Sequence, residues 1–227
     1  MKTRYVLGIT GILFVIALCC GLYQKKEYID LNQEEEPLNR FVVALANEGF
    51  LDMQISFMEE DLDASNIIIA AKCEDTYRYR FGCNTQEVSV EYVFQGEGIK
   101  KGDKIEIARN GTHIYTAEVD FIAGMPSNDM GFVNEMIPGK TYLIFLDRKL
   151  NTFNEENIYV QSEDFIVAPI FCYEDIPNVP CRSIDKIGLY AKYETVKENE
   201  FFITSQRGID KMEAFKEQLI TKYPSPS

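Results

Sequence analysis

Four cysteines stand in two short-range pairs in the body of the chain, Cys73 with Cys83 and Cys172 with Cys181. Outside the cytoplasm, an even number of cysteines at such spacings favours disulfides. Three connectivities are open. We expect the local pairing, in which each bridge closes a loop of about ten residues and contributes on the order of 2–3 kcal/mol. Free thiols and a zinc site are the alternatives, although no Cys-x-x-Cys occurs and His113 is the only histidine.

Residues of other types suggest little further chemistry. His113 has no partner at a catalytic spacing, because the sequence contains neither Gly-x-Ser-x-Gly nor a Cys–His signature. Asp61, Asp63 and Ser65 alternate like the start of a calcium loop, but Asn66 stands where such a loop needs glycine. The sequence therefore predicts no catalytic residue, no metal site and no cofactor.

A row of alternating aromatic and basic residues runs through Tyr77, Arg78, Tyr79, Arg80 and Phe81. Aromatic and guanidinium groups dominate protein contacts and also stack on sugars or bases. The chain has 36 acidic and 23 basic residues and a net charge of −13, so its field repels nucleic acid. We predict a patch that binds a protein or a glycan, with an ordinary strand hairpin as the alternative.

The N-terminal segment predicts where the chain works. Residues 1–4 form a positive n-region, and residues 5–23 carry no charge, which is close to the ~20 residues of a membrane-spanning helix. The apolar regions of signal peptides are shorter, ~7–15 residues. We predict a single-pass anchor in the cell membrane, with the C-terminal body outside the cytoplasm. The alternatives are cleavage with secretion, and a lipoprotein modified at Cys19 or Cys20, although Leu18 and Cys19 are poor residues before an acylated cysteine.

The rest of the chain divides by pattern into four parts. Residues 24–36 form a polar stalk, residues 37–64 have helical apolar spacing, and residues 196–227 contain a C-terminal helix and tail. Residues 65–195 contain short apolar or alternating runs separated by turn residues, which is typical of antiparallel β-structure. The expected strands are 66–74, 86–94, 103–109, 113–121, 141–146, 158–161, 164–170 and 187–194. We predict a mainly β fold with flanking helices, of the α+β class.

Two of these stretches carry a family resemblance: VSVEYVFQGEGIKKGDKIEI at 88–107 and MIPGKTYLIFL at 136–146. They resemble the OB-like barrel of the netrin and tissue-inhibitor-of-metalloprotease type and its bacterial extracytoplasmic relatives, over residues 66–170. The matching positions are turn glycines and strand residues, namely Gly98, Lys101, Gly102, Asp103, Ile105, Ile107, Gly139, Lys140, Tyr142, Leu143, Phe145 and Leu146. The resemblance implies a small OB-like antiparallel barrel.

The resemblance does not carry the animal inhibitors' activity to this chain. Those proteins act through a free N-terminal cysteine, and here only Cys20 could become one, after cleavage. We therefore predict a non-catalytic binding or interaction module at the cell envelope, with an envelope protein or a glycan as partner. A hydrolase built on carboxylates and an inhibitor of an extracellular protease are the alternatives. Two carboxylates ~5–10 Å apart in a pocket would favour the hydrolase, and an exposed apolar patch would favour binding.

Overall fold

The computed structural model describes residues 2–27, 30–80, 83–109, 121–122, 125–151, 157–161, 164–186 and 188–226. The chain forms two compact units, Met1–Glu35 and Glu36–Ser227. The segments predicted as separate parts at 37–64, 65–195 and 196–227 therefore belong to one unit. The two flanking helical segments are built into the β-rich body.

The first unit consists mainly of one long helix, α1 (Lys2–Glu27), followed by a short 3-10 turn at Leu31–Gln33. The uncharged stretch 5–23 lies within α1. Large apolar side chains project from every side of this helix and are 53–68% exposed; they are Ile9, Ile12, Leu13, Phe14, Val15, Ile16, Leu18, Leu22 and Tyr23.

Among the residues that the structure describes, no helix is both long enough and apolar enough to cross a membrane.

The second unit is α+β, as the sequence predicts. Its described residues form two α-helices, α2 (Glu48–Asp61) and α3 (Gln206–Lys222). They also form twelve strands: β1 (Val42–Ala44), β2 (Ile67–Cys73), β3 (Arg78–Arg80), β4 (Cys83–Gln95), β5 (Lys104–Ala108), β6 (Phe121–Ile122), β7 (Met125–Asn128), β8 (Thr141–Leu146), β9 (Arg148–Lys149), β10 (Ile158–Val160), β11 (Ile170–Cys172) and β12 (Tyr190–Lys192).

The larger sheet has the strand order β11-β8-β2-β4-β5-β10-β9, with β3 paired to β4. Its neighbours are antiparallel except β5 and β10, which are parallel. The described ladders run from β11 to β9 without closing into a barrel. Only Asp147 separates β8 from β9 along the chain, and its N–H donates to the Val160 carbonyl at 2.9 Å.

The two faces of strand β2 contribute to two different hydrophobic cores. Ile67, Ile69 and Ala71 pack in one cluster with side chains of β4, β5 and β8. Ile68 belongs to the other cluster, in which side chains of β8 and β11 pack against α2 and α3. A strand that is covered on both faces needs apolar residues at consecutive positions, and this explains the unbroken run at Ile67–Ala71.

A smaller sheet has the order β12-β1-β7-β6, and it corrects the helical prediction for residues 37–64 at one place only. Val42–Ala44 is a strand, antiparallel to β12 and parallel to β7. Val42 and Val43 are both fully buried, so the β-branched pair is enclosed on both sides. Helix α2 begins soon after this strand, and the Asn47 side chain caps it by accepting the Phe50 N–H at 3.0 Å.

The C-terminal helix α3 agrees with its prediction. Ser205 caps it by accepting the Gly208 N–H at 3.1 Å. Four side chains of its apolar face are buried and one is half-buried; they are Ile209, Met212, Phe215, Leu219 and, half-buried, Ile220. This face packs on the second cluster and holds α3 against the larger sheet.

Candidate functional site

The predicted aromatic and basic patch is divided between two sides of β3. Tyr77 is only 6% exposed, so its ring cannot be presented to a partner. Arg78 is exposed and lies 3.5 Å from Glu87 and 3.4 Å from Glu106. Tyr79 is half-buried, and its ring meets the Tyr77 ring edge-on at 6.3 Å. The alternation of a strand therefore separates the tyrosines from the guanidinium group.

Other predicted features lie outside the described residues. These are Phe81, His113 with most of the strand predicted at 113–121, and the side chain of Arg80.

A buried arginine, Arg109, directly follows β5. The Arg109 guanidinium donates to the carbonyl oxygens of Met130 at 2.9 Å, Val133 at 2.5 Å, and Asn134. It also lies 5.5 Å from the centre of the Tyr77 ring, a cation–π distance. Charge-assisted hydrogen bonds to these three carbonyls fix the path of residues 130–134.

Glu135 follows this segment and is largely buried. Burial raises the pKa of the Glu135 carboxyl above its ordinary value, against the opposing effect of the nearby Arg109 charge. The Tyr193 hydroxyl lies 3.0 Å from Asn134 Oδ1 and 3.4 Å from Glu135 Oε1. The Glu135 carboxyl is therefore a buried acid whose protonated form is favoured by its surroundings.

A second buried acid, Glu200, is fully engaged by other groups. Its Oε2 lies 2.5 Å from the Lys216 Nζ of α3, and its Oε1 accepts the Cys172 N–H of β11 at 2.8 Å. Burial raises the pKa of Glu200, and the charge of Lys216 acts in the opposite direction. The contacts join α3 to β11, and this is a structural role.

Both acids contribute to one cavity, which encloses about 340 Å³ including its open mouth. It is lined by four parts of the chain: Val133, Asn134, Glu135 and Ile137; Tyr142 of β8; Ile176; and Lys197, Glu198, Asn199 and Glu200. Neither oxygen of Glu200 is free to attack a substrate or to move a proton. In the parts of the chain that the structure describes, no group of three His, Cys, Asp or Glu side chains is placed to hold a metal ion.

The cysteines predicted to form disulfides are thiols in this structure. The β2–β4 register places Cys73 opposite Val88, five positions along β4 from Cys83. At ~3.4 Å per residue this is ~17 Å of strand, whereas a disulfide needs Cα atoms within ~7 Å. The local Cys73–Cys83 bridge stays a prediction that would require the end of β4 to fold back.

Burial also affects the acidity of these thiols. It raises the pKa of Cys73 to about 12 and raises the pKa of Cys172 and Cys181 as well.

An exposed apolar surface that the sequence analysis did not single out runs along α2. Met53 and Phe57 are 46% and 50% exposed, and Ile166, whose N–H lies 3.3 Å from Gln54 Oε1 on α2, is 56% exposed. The half-buried Phe50 ring packs on the Phe132 ring with 5.0 Å between centroids. We name this surface the α2 flank; it consists of Phe50, Met53, Phe57, Phe132 and Ile166. The spacing of Phe50, Met53 and Phe57, at i, i+3 and i+7, was its signal in the sequence.

No protein-family model matches this chain, and a comparison with curated protein sequences finds no match either. The functional conclusion therefore depends on exposure, contacts and charge.

Proposed function

We propose that the protein is a membrane-anchored, non-catalytic interaction module at the cell envelope. In this proposal the uncharged stretch 5–23 of α1 inserts into lipid, although no described helix meets the length and hydropathy of a membrane span, and the α+β unit Glu36–Ser227 meets its partners outside the cytoplasm. The observation that carries the proposal is the surface of α1, which exposes large apolar side chains on all sides. A helix that is apolar all round belongs either inside a large protein or in a membrane.

The free energy gained by moving the apolar side chains of α1 out of water is large. Burying one large apolar side chain contributes about 1.5–3 kcal/mol, so the exposed set on α1 amounts to on the order of 10 kcal/mol or more. Lipid is the environment that covers every side of an isolated helix at once. Lys2 and Arg4 precede the uncharged stretch, as in an n-region, and this supports a body outside the cytoplasm. Attachment of lipid at Cys19 or Cys20 and secretion after cleavage are the alternatives.

The order of the strands supports an OB-like arrangement for the larger sheet. Strands β2, β4 and β5 form an antiparallel meander, β10 lies parallel to β5, and β8 lies against β2. The segment Thr141–Lys149, interrupted at Asp147, pairs through β8 with one end of this series and through β9 with the other. We infer that this segment acts as the closing strand of an OB-like barrel. OB-like folds commonly bind partners on their surface.

A non-catalytic role is supported by the contacts of the two buried acids, Glu200 and Glu135. Glu200 bonds to Lys216 and to the Cys172 N–H, and Glu135 lies beside Arg109 and Tyr193. A carboxylate-dependent hydrolase is the second candidate, because Glu135, Glu198 and Glu200 line one cavity. It predicts that Glu135→Gln abolishes a hydrolytic activity, whereas the interaction module predicts no such activity.

The test is fractionation of the tagged full chain after alkaline carbonate extraction of membranes. We expect the protein in the membrane pellet. The double variant Leu13→Lys with Ile16→Lys should move the protein from the pellet to the soluble fraction. Each charge at the centre of a membrane helix costs about 2.5–3.5 kcal/mol on insertion scales. The matched control is Val179→Lys with Tyr92→Lys, two exposed apolar residues of the second unit, which should stay in the pellet. Recovery of the unchanged protein in the soluble fraction would contradict the proposal.

A further inference from the structure

We propose that the α2 flank binds an amphipathic helix of a partner protein, one with apolar anchors bordered by Lys and Arg. The proposal rests on the interaction role proposed above and names the surface and the chemistry of the partner. It is carried by three observations: the exposure of the flank, the strain that positions Phe132, and the charges at the end of α2.

The flank includes one apolar side of α2, next to the side that faces the core. At 100° per residue, Phe50, Met53 and Phe57 fall within about 60° of arc on the helix. The side chains that enter the core, Leu51 and Met58, lie on the neighbouring side. Apolar residues at i, i+3 and i+7 that remain exposed are the arrangement with which one helix packs on another.

Backbone strain extends the flank beyond α2. Phe132 has φ of +59°, in the left-handed region that bulky residues rarely adopt. Such a conformation costs on the order of 1–3 kcal/mol and persists where the surroundings enforce it, typically at ligand-binding surfaces. The Phe132 carbonyl accepts the Phe202 N–H at 2.9 Å, and this bond holds the turn in place. The result is a second aromatic ring set against Phe50.

The charges at the end of α2 select a basic partner. Glu60 and Asp61 lie in the last turn, on the same side of the helix as Phe57, and both are exposed. Carboxylates are unfavourable at the negative end of a helix dipole. In the described part of the chain neither residue forms a salt bridge. A partner that brings Lys or Arg to this end relieves the repulsion as it binds.

The same charges argue against the other occupants of an apolar surface. A second copy packed face to face would bring Glu60 and Asp61 against acidic residues of the same kind, since the chain has a net charge of −13. Anionic lipid head groups would be repelled in the same way. A basic amphipathic helix satisfies both the apolar face and the acidic end.

The test places a photoreactive phenylalanine analogue at position 57 of the full-length protein in its own membranes, followed by mass spectrometry of the crosslinked peptide. We expect a peptide from another protein, with net positive charge and apolar residues at i, i+3 or i+4, and i+7. Glu60→Lys with Asp61→Lys should lower the crosslinking yield by about three- to tenfold, because two complementary charges become repulsive. The same analogue at Val179, which is 60% exposed on the second unit against 50% for Phe57, is the matched control and should not give this product.

Several outcomes overturn the proposal. These are crosslinks only to a second copy or to lipid, a captured peptide that is acidic or lacks the apolar spacing, a yield unchanged by the charge reversal, and no crosslink at all. A partner captured at position 179 but not at position 57 would overturn the α2 flank and leave the interaction role intact. Fractionation of the same sample tests the membrane anchor separately.

Discussion

The Lys216 ammonium lies 2.5 Å from the Glu200 carboxylate, at a site where the two side chains are only 9% and 4% exposed. The pair joins α3 to the segment that follows β12, and the second Glu200 oxygen accepts the Cys172 N–H of β11. Three separate parts of the second unit therefore meet at one carboxylate. Removing one partner of a buried ion pair leaves an uncompensated charge, which destabilises more than the pair itself stabilises.

Lys216→Met should consequently lower the free energy of unfolding by about 3–5 kcal/mol. The measurement is urea unfolding of the full chain followed by circular dichroism. Lys222→Met is the matched control. Lys222, the last residue of α3, pairs with Asp63, and both side chains are exposed. An exposed pair contributes about 1 kcal/mol or less. Equal losses for the two variants would contradict the structural role of the buried pair.

Glu135 should make stability depend on pH. Burial raises the pKa of Glu135 above 4.5, so the folded protein binds this proton more tightly than the unfolded chain does. The stabilisation is fully present below about pH 4.5 and is lost as the pH rises through the raised pKa. Glu135→Gln keeps the neutral form and an oxygen for the Tyr193 hydroxyl.

The check on Glu135 is the free energy of unfolding of both proteins from pH 4 to pH 8. The free energy of unfolding of Glu135→Gln minus that of the unchanged protein should rise with pH and then level off. A difference that stays constant across this range would show that the Glu135 proton is not coupled to folding.

Gly131 and Gly49 should respond in opposite directions to alanine. Gly131 has φ of +59°, and a Cβ there would lie 3.0 Å from the Ala168 backbone nitrogen, so Gly131→Ala should destabilise by about 1–3 kcal/mol. Gly49 lies in α2 with only Asn47 Oδ1 near its Cβ, at 3.8 Å. Gly49→Ala should therefore stabilise by about 0.5–1 kcal/mol. Thermal unfolding compares them, and a stabilising Gly131→Ala would exclude the strained turn beside Phe132.

The cysteines can be tested by alkylation in urea with and without a reductant. The thiols in the structure predict equal labelling of Cys73, Cys83, Cys172 and Cys181 under both conditions. In the folded protein at pH 8, Cys73 should react slowly, since its pKa of about 12 leaves very little thiolate. Labelling that requires the reductant would instead support the disulfides predicted from the sequence.

Local patterns predict some elements of the fold correctly, whereas the strand predicted at 164–170 lies at Ile170–Cys172 in the structure. Alternation along β4 and β5 and the spacing of α3 arise from neighbours in the sequence, so the sequence displays them. Strand β1 was missed because Val42 and Val43 are flanked by apolar residues at helical spacing. The pairing that makes them a strand comes from β7 and β12, far away in the chain.

The candidate sites were harder to predict because distant residues create them. The alternation of Tyr77 and Arg78 is typical of a surface patch. In the structure, however, the Tyr77 ring is buried and lies against the buried Arg109 guanidinium. No local pattern marks the pair of Glu200 and Lys216, which lie on different elements. The left-handed φ of Phe132 also has no signature, because the residue type argues against it.

The membrane anchor is tested by the intact mass of the protein recovered from the membrane fraction. A membrane anchor through α1 predicts a chain that retains residues 5–23, carries no acyl group at Cys19 or Cys20, and resists extraction by alkaline carbonate. A soluble protein whose mature chain starts after Gly21, or a lipid-modified cysteine at its N-terminus, would contradict it.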